Sequence, residues 1–377
     1  MPIPFLDLVP RHREIEAEAT AALARVMSGG AYILGREVAA FEAEWAGYCG
    51  VRGAAGVNSG TDALALALVA SGAVRKGQRD EVITSALTAG YTALAIKSAG
   101  GVPVFADIDP QTYTLDPRAV EKAITPRTRA LVPVHLYGQM ADMAAIGEIA
   151  ARYNLTVIED AAQAHGARLC GKRAGAHGQA AAFSFYPTKN LGAYGDGGAV
   201  TSNDMALIER VKTLRQGGHY AALQTGIEGR NSRLDELQAA VLRIALQHLD
   251  EWTRRRQSIA ETYTAAFRGT RLGLPLARAP EAHVYHLYVV AHPERDALRA
   301  HLEASGIATM VHYPFLLHQQ PLFRRSEQPP LPVAERVAGR ILSLPLYPQI
   351  KQAEVRAVIE AVLGFERKRA GARGPGE

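Results

Sequence analysis

Between Glu14 and Met27 apolar positions recur at helical spacing and stop at Gly29-Gly30, which predicts a helix. From Ala54 onward, short and continuously apolar runs alternate with stretches of helical periodicity. The clearest unit is Ala130-Leu131-Val132-Pro133-Val134, a helical segment from Asp142 to Tyr153, and then Leu155-Thr156-Val157-Ile158. Runs that are apolar at nearly every position suit parallel strands buried on both faces. A right-handed crossover helix joins such strands. Similar runs at Glu81–Thr84, Pro103–Ala106, Ala181–Phe185 and Ala199–Thr201 complete an α/β open-sheet pattern.

Past about Asn231 the pattern changes. Two long helical stretches, Leu234–Leu249 and Thr253–Phe267, lead into a Pro/Gly-rich stretch, Gly273–Pro280. An alternating strand, Val284–Val290, follows, and then a helix opened by Pro293 and closed by Gly306. The chain has 377 residues, whereas a single core rarely grows past roughly 250–300. The expected division is an N-terminal arm and large α/β domain over 1–245, then a smaller α+β domain over 246–377.

Composition narrows the class. Hydrophobic residues make up 48% and charged residues 21%, which excludes global disorder. No apolar run approaches the ~18–20 residues of a membrane span. The segment Met1–Asp7 has no basic region followed by an apolar stretch, so no signal peptide is expected. Cys49 and Cys170 stand far apart without a C-x-x-C, so neither a disulfide framework nor a metal site is expected, and a reduced, cytoplasmic compartment is. Cys170 reads as a small buried residue. The net charge is +5. Part of it lies in a C-terminal tail carrying Arg367, Lys368, Arg369 and Arg373, which reads as a solvated, frayed terminus rather than a nucleic-acid arm.

In an open parallel sheet, ligands sit beyond the carboxyl ends of the strands. Three strand ends carry candidate chemistry. Asn58-Ser59-Gly60-Thr61-Asp62 offers free amides at a helix N-terminus, which suit a phosphate, or a plain N-cap by Ser59 or Thr61. Asp160 closes an apolar strand and requires a partner, as a cap, an ion pair or a counter-group to a protonated ring nitrogen. Lys189, in Ser184-Phe185-Tyr186-Pro187-Thr188-Lys189-Asn190 with glycines after it, is either a surface lysine or an amine of lowered pKa. Together, a phosphate cradle, a carboxylate for a pyridinium and an amine nucleophile are what pyridoxal phosphate requires.

The sequence resembles the DegT/DnrJ/EryC1/StrS family of sugar aminotransferases, within the fold-type-I, aspartate-aminotransferase-like enzymes. The resemblance runs along nearly the whole chain, through AYILGREV (Ala31–Val38), NSGTDALALAL (Asn58–Leu68), HLYGQ (His135–Gln139), VIEDAAQAHGA (Val157–Ala167), FSFYPTKNLGAYGDGGA (Phe183–Ala199), NSRLDELQAA (Asn231–Ala240) and HYPFLLHQQP (His312–Pro321). It implies that Lys189 carries pyridoxal 5'-phosphate and shuttles the proton. It further implies that Asp160 pairs with the ring nitrogen and that Gln163 bonds the ring hydroxyl. Gly60, Thr61 and Ser184 hold the phosphate, and Asn231 reaches the phosphate of a neighbouring subunit, which makes a homodimer with shared sites. Tyr186, His312 and Tyr313 border the substrate pocket. His165 lies near the cofactor or makes a structural hydrogen bond. One departure is Ala89, after Thr88, where many relatives stack an aromatic ring; Tyr91 is the candidate substitute.

The implied reaction is transamination of a keto group, at C3, on a nucleotide-linked deoxysugar, with glutamate as donor. A 4-keto sugar or a cyclitol are alternatives within the class. A non-catalytic regulatory protein is the alternative outside it, and would show erosion of these residues. A nicotinamide-dependent oxidoreductase lacks its glycine fingerprint here.

Overall fold

The computed structural model describes residues 2–217, 229–324 and 328–372. Seven strands form the central sheet, in the order Gly53–Val57, Gly198–Ser202, Ala180–Ser184, Thr156–Asp160, Thr128–Val132, Glu81–Ser85 and Val102–Ala106. Gly198–Ser202 is antiparallel to both neighbours; the other pairings are parallel. Alternate strand residues serve opposite cores. Ile83, Leu131, Val157, Ala181 and Phe183 pack with Phe41, Trp45 and Ile146 on one face. Val82, Val132, Ile158, Ala182 and Val200 pack with Leu64, Leu68, Ile96 and Ile208 on the other. That two-sided burial is why the strands read as unbroken apolar runs. Short polar side chains set the helix starts. Ser59, Asp142 and Asp204 each accept an amide proton from the first turn of the helices Gly60–Ala70, Met143–Tyr153 and Met205–Leu214.

The two helical stretches expected after residue 231 are one helix, Glu236–Phe267, running through the intervening Asp250-Glu251 without a break. The expected division at 245/246 falls inside it. Its first half packs in the large core through Leu242 and Leu249, and its second half in the C-terminal core through Ile259, Tyr263 and Phe267. The helix Val9–Gly29 is docked on it, with Ile15, Ala19, Ala22 and Val26 buried. The N-terminal segment is thus attached to its own chain, and Ile3 pairs with Ile307 in the C-terminal part.

Three further expectations need correction. The strand predicted at Val284–Val290 is confined to Tyr288–Ala291, paired with Ile341–Leu344. Upstream, Val284 and Leu287 donate their amides to Gly138 and Tyr137, and Arg256 takes the carbonyls of Tyr285 and His286, so the backbone has other partners than a ladder. Cys170 is exposed. It forms with Gly171 the two-residue turn between Arg168–Leu169 and Lys172–Arg173, both with positive φ (49° and 76°), as a tight hairpin requires. The basic tail is not frayed up to residue 372. The last helix, Gln352–Ala372, carries Arg367 and Lys368, and its Arg369 pairs with Glu294 at 3.0 Å and lies over the Phe365 ring. Arg373 lies outside the described residues.

Candidate active site

The sheet's carboxyl edge assembles the site. Ser59 accepts the Asp62 amide at 3.1 Å and so is the N-cap of Gly60–Ala70. The cap leaves the amides of Gly60 and Thr61 without an acceptor among the described residues. The capping reading of this segment therefore holds, and the two amides ahead of the cap stay available to an anion. Gly60 is required by close approach: a Cβ there would lie 2.6 Å from the Ser184 Cβ. The missing side chain lets the helix start directly against Ser184.

Asp160 closes the strand Thr156–Asp160 and is 8% exposed. Its Oδ2 accepts from Thr92 Oγ1 at 2.7 Å and its Oδ1 from the Ala162 amide at 3.2 Å, which fixes the carboxylate plane. Lys189 lies in a tight loop after the strand Ala180–Ser184. Its amine makes no hydrogen bond or ion pair to a described residue. Burial pushes the amine from 10.5 down to about 8, against the opposing pull of Asp160. The loop is held from outside. Arg11, on the N-terminal helix, donates Nη1 to the Lys189 carbonyl at 3.1 Å and Nη2 to the Pro187 carbonyl at 2.9 Å.

Gln163 is locked on both sides. Its Oε1 accepts the Tyr137 amide at 2.6 Å and its Nε2 donates to Tyr313 Oη at 3.0 Å. This explains HLYGQ. Tyr137 and Gly138 both take positive φ (59° and 94°), and a Cβ at Gly138 would meet Val284 Cγ2 at 2.9 Å and the His286 nitrogen at 3.0 Å. The Tyr137 hydroxyl donates to the His312 carbonyl, joining the C-terminal part to the same wall.

Gly60, Thr61, Asp160, Gln163, Ser184, Tyr186, Lys189, His312 and Tyr313 line one cavity of about 680 Å³. Asn231 does not. It lines an adjacent hollow with Asn58, Arg233 and Gln238, and Asp196 borders both spaces. Ala89 lines the cavity, and Tyr91 stands at its rim, 67% exposed. His165 lies behind the wall against Trp45, Phe183 and Phe185, with Nε2 bonded to the Ser184 carbonyl at 2.9 Å. Burial, with Lys189 adding to it, lowers its pKa to about 3, so it is a neutral donor that steadies Ser184. His312, bonded through Nδ1 to Ser343 Oγ at 2.8 Å and stacked on Phe5, is lowered to about 4 by burial and then by Lys189. Thr92, His286, Tyr137 and Arg11 were not singled out from the sequence. Thr92 lies in the first turn of the helix Gly90–Ser98 that follows the strand Glu81–Ser85, so inspecting the residues after that strand could have found it. Arg11 lies 178 residues from its partner and carries no local signal.

A family model described as the DegT/DnrJ/EryC1/StrS aminotransferase family matches residues 13–363. The chain belongs to this family. It is an aminotransferase with the fold-type-I α/β architecture. The dTDP-3-amino-3,4,6-trideoxy-alpha-D-glucose transaminase of Streptomyces venezuelae is 50% identical over 364 residues, covering 96% of this chain and 95% of its own. A pleiotropic regulatory protein of Geobacillus stearothermophilus is 45% identical over 372 residues, covering 97% of this chain and 99% of its own. Among solved structures, S. venezuelae DesV in complex with a ketimine intermediate superposes with a TM-score of 0.92 at 49% identity, over 97% of this chain and 98% of that one. No described helix is long and apolar enough to cross a membrane.

Proposed function

We propose that this aminotransferase binds pyridoxal 5'-phosphate and exchanges an amino group between L-glutamate and the C3 keto group of a nucleotide-linked deoxysugar. The observation that carries this reading is the meeting, in one cavity, of the free amides at Gly60 and Thr61, the fixed carboxylate of Asp160 and the desolvated amine of Lys189. The donor set fits the cofactor. Two partnerless helix-terminal amides and the hydroxyls of Thr61 and Ser184 suit a phosphate. Asp160, with its plane set by Thr92, suits a ring N–H. Gln163 keeps one N–H free for a ring hydroxyl after its bonds to Tyr137 and Tyr313. When bound, pyridoxal phosphate supplies an aldehyde for amino exchange and a protonated ring that draws electron density from the reacting carbon.

Within that frame the chain's own residues divide the work. Lys189, brought to about 8 by burial, has about a tenth of its amine unprotonated at pH 7, far more than an ordinary lysine, and carries a proton to and from the reacting carbon through Nζ. Asp160 holds the proton on the ring nitrogen. Tyr186, His312 and Tyr313 face the sugar nucleotide, the two histidine nitrogens uncharged. Asn231 lies outside its own cavity, which supports a role at the phosphate of a second copy of the chain, in a homodimer with shared sites. C3, rather than C4, rests on likeness to the Streptomyces transaminase. Intact site residues favour catalysis over a purely regulatory role.

The test is a turnover screen of 3-keto and 4-keto sugar nucleotides with glutamate, following 2-oxoglutarate. Amination of 3-keto substrates is expected; no amino exchange with any of them would defeat the proposal. Shared sites are tested by mixing Lys189→Ala with Asn231→Ala chains. Heterodimers should recover about half of wild-type activity per dimer, because one of the two sites is then intact. No recovery from exchanged, folded chains would argue against sharing.

A further inference from the structure

His286 lines the same cavity as Lys189. Its neighbours fix its protonation. Asn190 Nδ2 lies 3.1 Å from the Val284 carbonyl oxygen. A carbonyl oxygen only accepts, so that amide atom must be the nitrogen, and a flipped amide would set two oxygens against each other. The other end, Oδ1, lies 3.3 Å from His286 Nδ1. An amide oxygen also only accepts, so Nδ1 must carry a hydrogen. The imidazole, held uncharged by burial and by the neighbouring Lys189, Arg256 and His312, therefore has its lone pair on Nε2. Nε2 has no partner among the described residues and is not sealed from the cavity. The backbone of His286 is equally fixed, since Arg256 Nη1 lies within hydrogen-bond reach of its carbonyl. The cavity wall beside Lys189 thus presents a rigid, neutral hydrogen-bond acceptor.

We infer that His286 Nε2 is a specificity determinant that accepts a hydrogen bond from a sugar hydroxyl flanking the carbon that exchanges its amino group. This rests on the proposed sugar-nucleotide reading. The reacting carbon must lie within reach of Lys189, and His286 shares that wall, so the groups it meets are those on the adjoining carbons. A lone pair selects a donor, and hydroxyls are the donors a deoxyhexose carries there. An analogue lacking that hydroxyl leaves Nε2 buried and unpaired, and a site built to bond a hydroxyl discriminates strongly against its absence.

The reverse reaction supplies stable probes: a dTDP-linked 3-amino-3,6-dideoxyhexose, its 2-deoxy and its 4-deoxy analogues, each with 2-oxoglutarate. Wild type should lose at least about tenfold in kcat/KM on one of the two analogues. His286→Phe, which keeps a ring without an acceptor, should lose rate on the parent sugar and lose that discrimination. His286→Gln, which can present an amide oxygen, should retain part of it. Equal discrimination in wild type and His286→Phe, or none in wild type, would overturn the inference while leaving the amino exchange standing. No amino exchange on any probe by wild type would bring down both. Independently of turnover, nitrogen NMR of the labelled holoenzyme at neutral pH should show His286 with hydrogen on Nδ1 and bare Nε2. The opposite tautomer, or a doubly protonated ring, would overturn the inference whether or not the variants fold.

Discussion

Arg11→Met removes a cation that the fold has buried to hold two carbonyls. Arg11 is 7% exposed, with its guanidinium toward Trp252 and no ion-pair partner among the described residues. It bonds the Lys189 and Pro187 carbonyls at 3.1 and 2.9 Å. Hydrogen bonds from a charged donor contribute about 1.5–3 kcal/mol each. Burying a guanidinium without a counter-ion offsets much of that, and the same desolvation holds its pKa below the usual value. Net stability should fall by only about 1–2 kcal/mol. The larger effect is positional, because the two bonds end on the residue that carries Nζ and on the loop leading to it. A displacement of about 1 Å at a reacting group costs on the order of 100-fold in rate. Initial-rate measurements should therefore show kcat reduced by about 30–100-fold with KM changed little. Arg11→Lys, which keeps the charge but not the planar fork, should recover part of the rate. A folded Arg11→Met enzyme with wild-type kcat would refute the claim that the N-terminal helix positions Lys189.

Asp160→Asn should lower kcat by about 100-fold or more while thermal unfolding moves little, because the amide still fits Thr92 but cannot hold a proton on a ring nitrogen; near wild-type turnover would make Asp160 a structural cap. Gly60→Ala places a Cβ 2.6 Å from Ser184 Cβ, so it should cost about 1–3 kcal/mol in urea unfolding and weaken cofactor retention in dialysis; an unchanged affinity would remove the helix terminus from the phosphate site. Lys189 is depressed from 10.5 to about 8, so the unfolded chain binds more protons between those values and the lysine's burial penalty, present below pH 8, fades as pH rises toward 10.5. Apo Lys189→Met should therefore be more stable than apo wild type at pH 7, by up to about 3 kcal/mol, with the gap closing toward pH 10.5; a pH-independent difference in urea titrations would contradict the depressed amine.

What was legible in the sequence follows from locality. The runs at Ala130–Val134 and Leu155–Ile158 declare parallel strands because their Ala, Leu, Val and Ile side chains each meet a core, on one face or the other. Lys189, Asp160 and Gly60 could be found because each lies at or just after a strand end, where the sheet's geometry collects ligands. The misreadings have the opposite cause. Val284–Leu287 alternates like a strand, yet its backbone is satisfied by Gly138, Tyr137 and Arg256, partners far away in sequence. Cys170 looks like a core residue by type, and only the Cys-Gly turn geometry puts it outside. Glu236–Phe267 looked divided because its polar stretch around Asp250-Glu251 resembles a break, whereas Trp252 and Leu249 are buried to either side of it. Arg11 and His286 act across 178 and 96 residues, where neither periodicity nor motif reports a contact.

The central claim is that Lys189 is the amine that carries the cofactor. Purified holoenzyme should be yellow, and reduction with sodium borohydride followed by peptide mapping should place the pyridoxyl label on the peptide containing Lys189 alone. A label on any other lysine, or none on a yellow enzyme, would contradict the account.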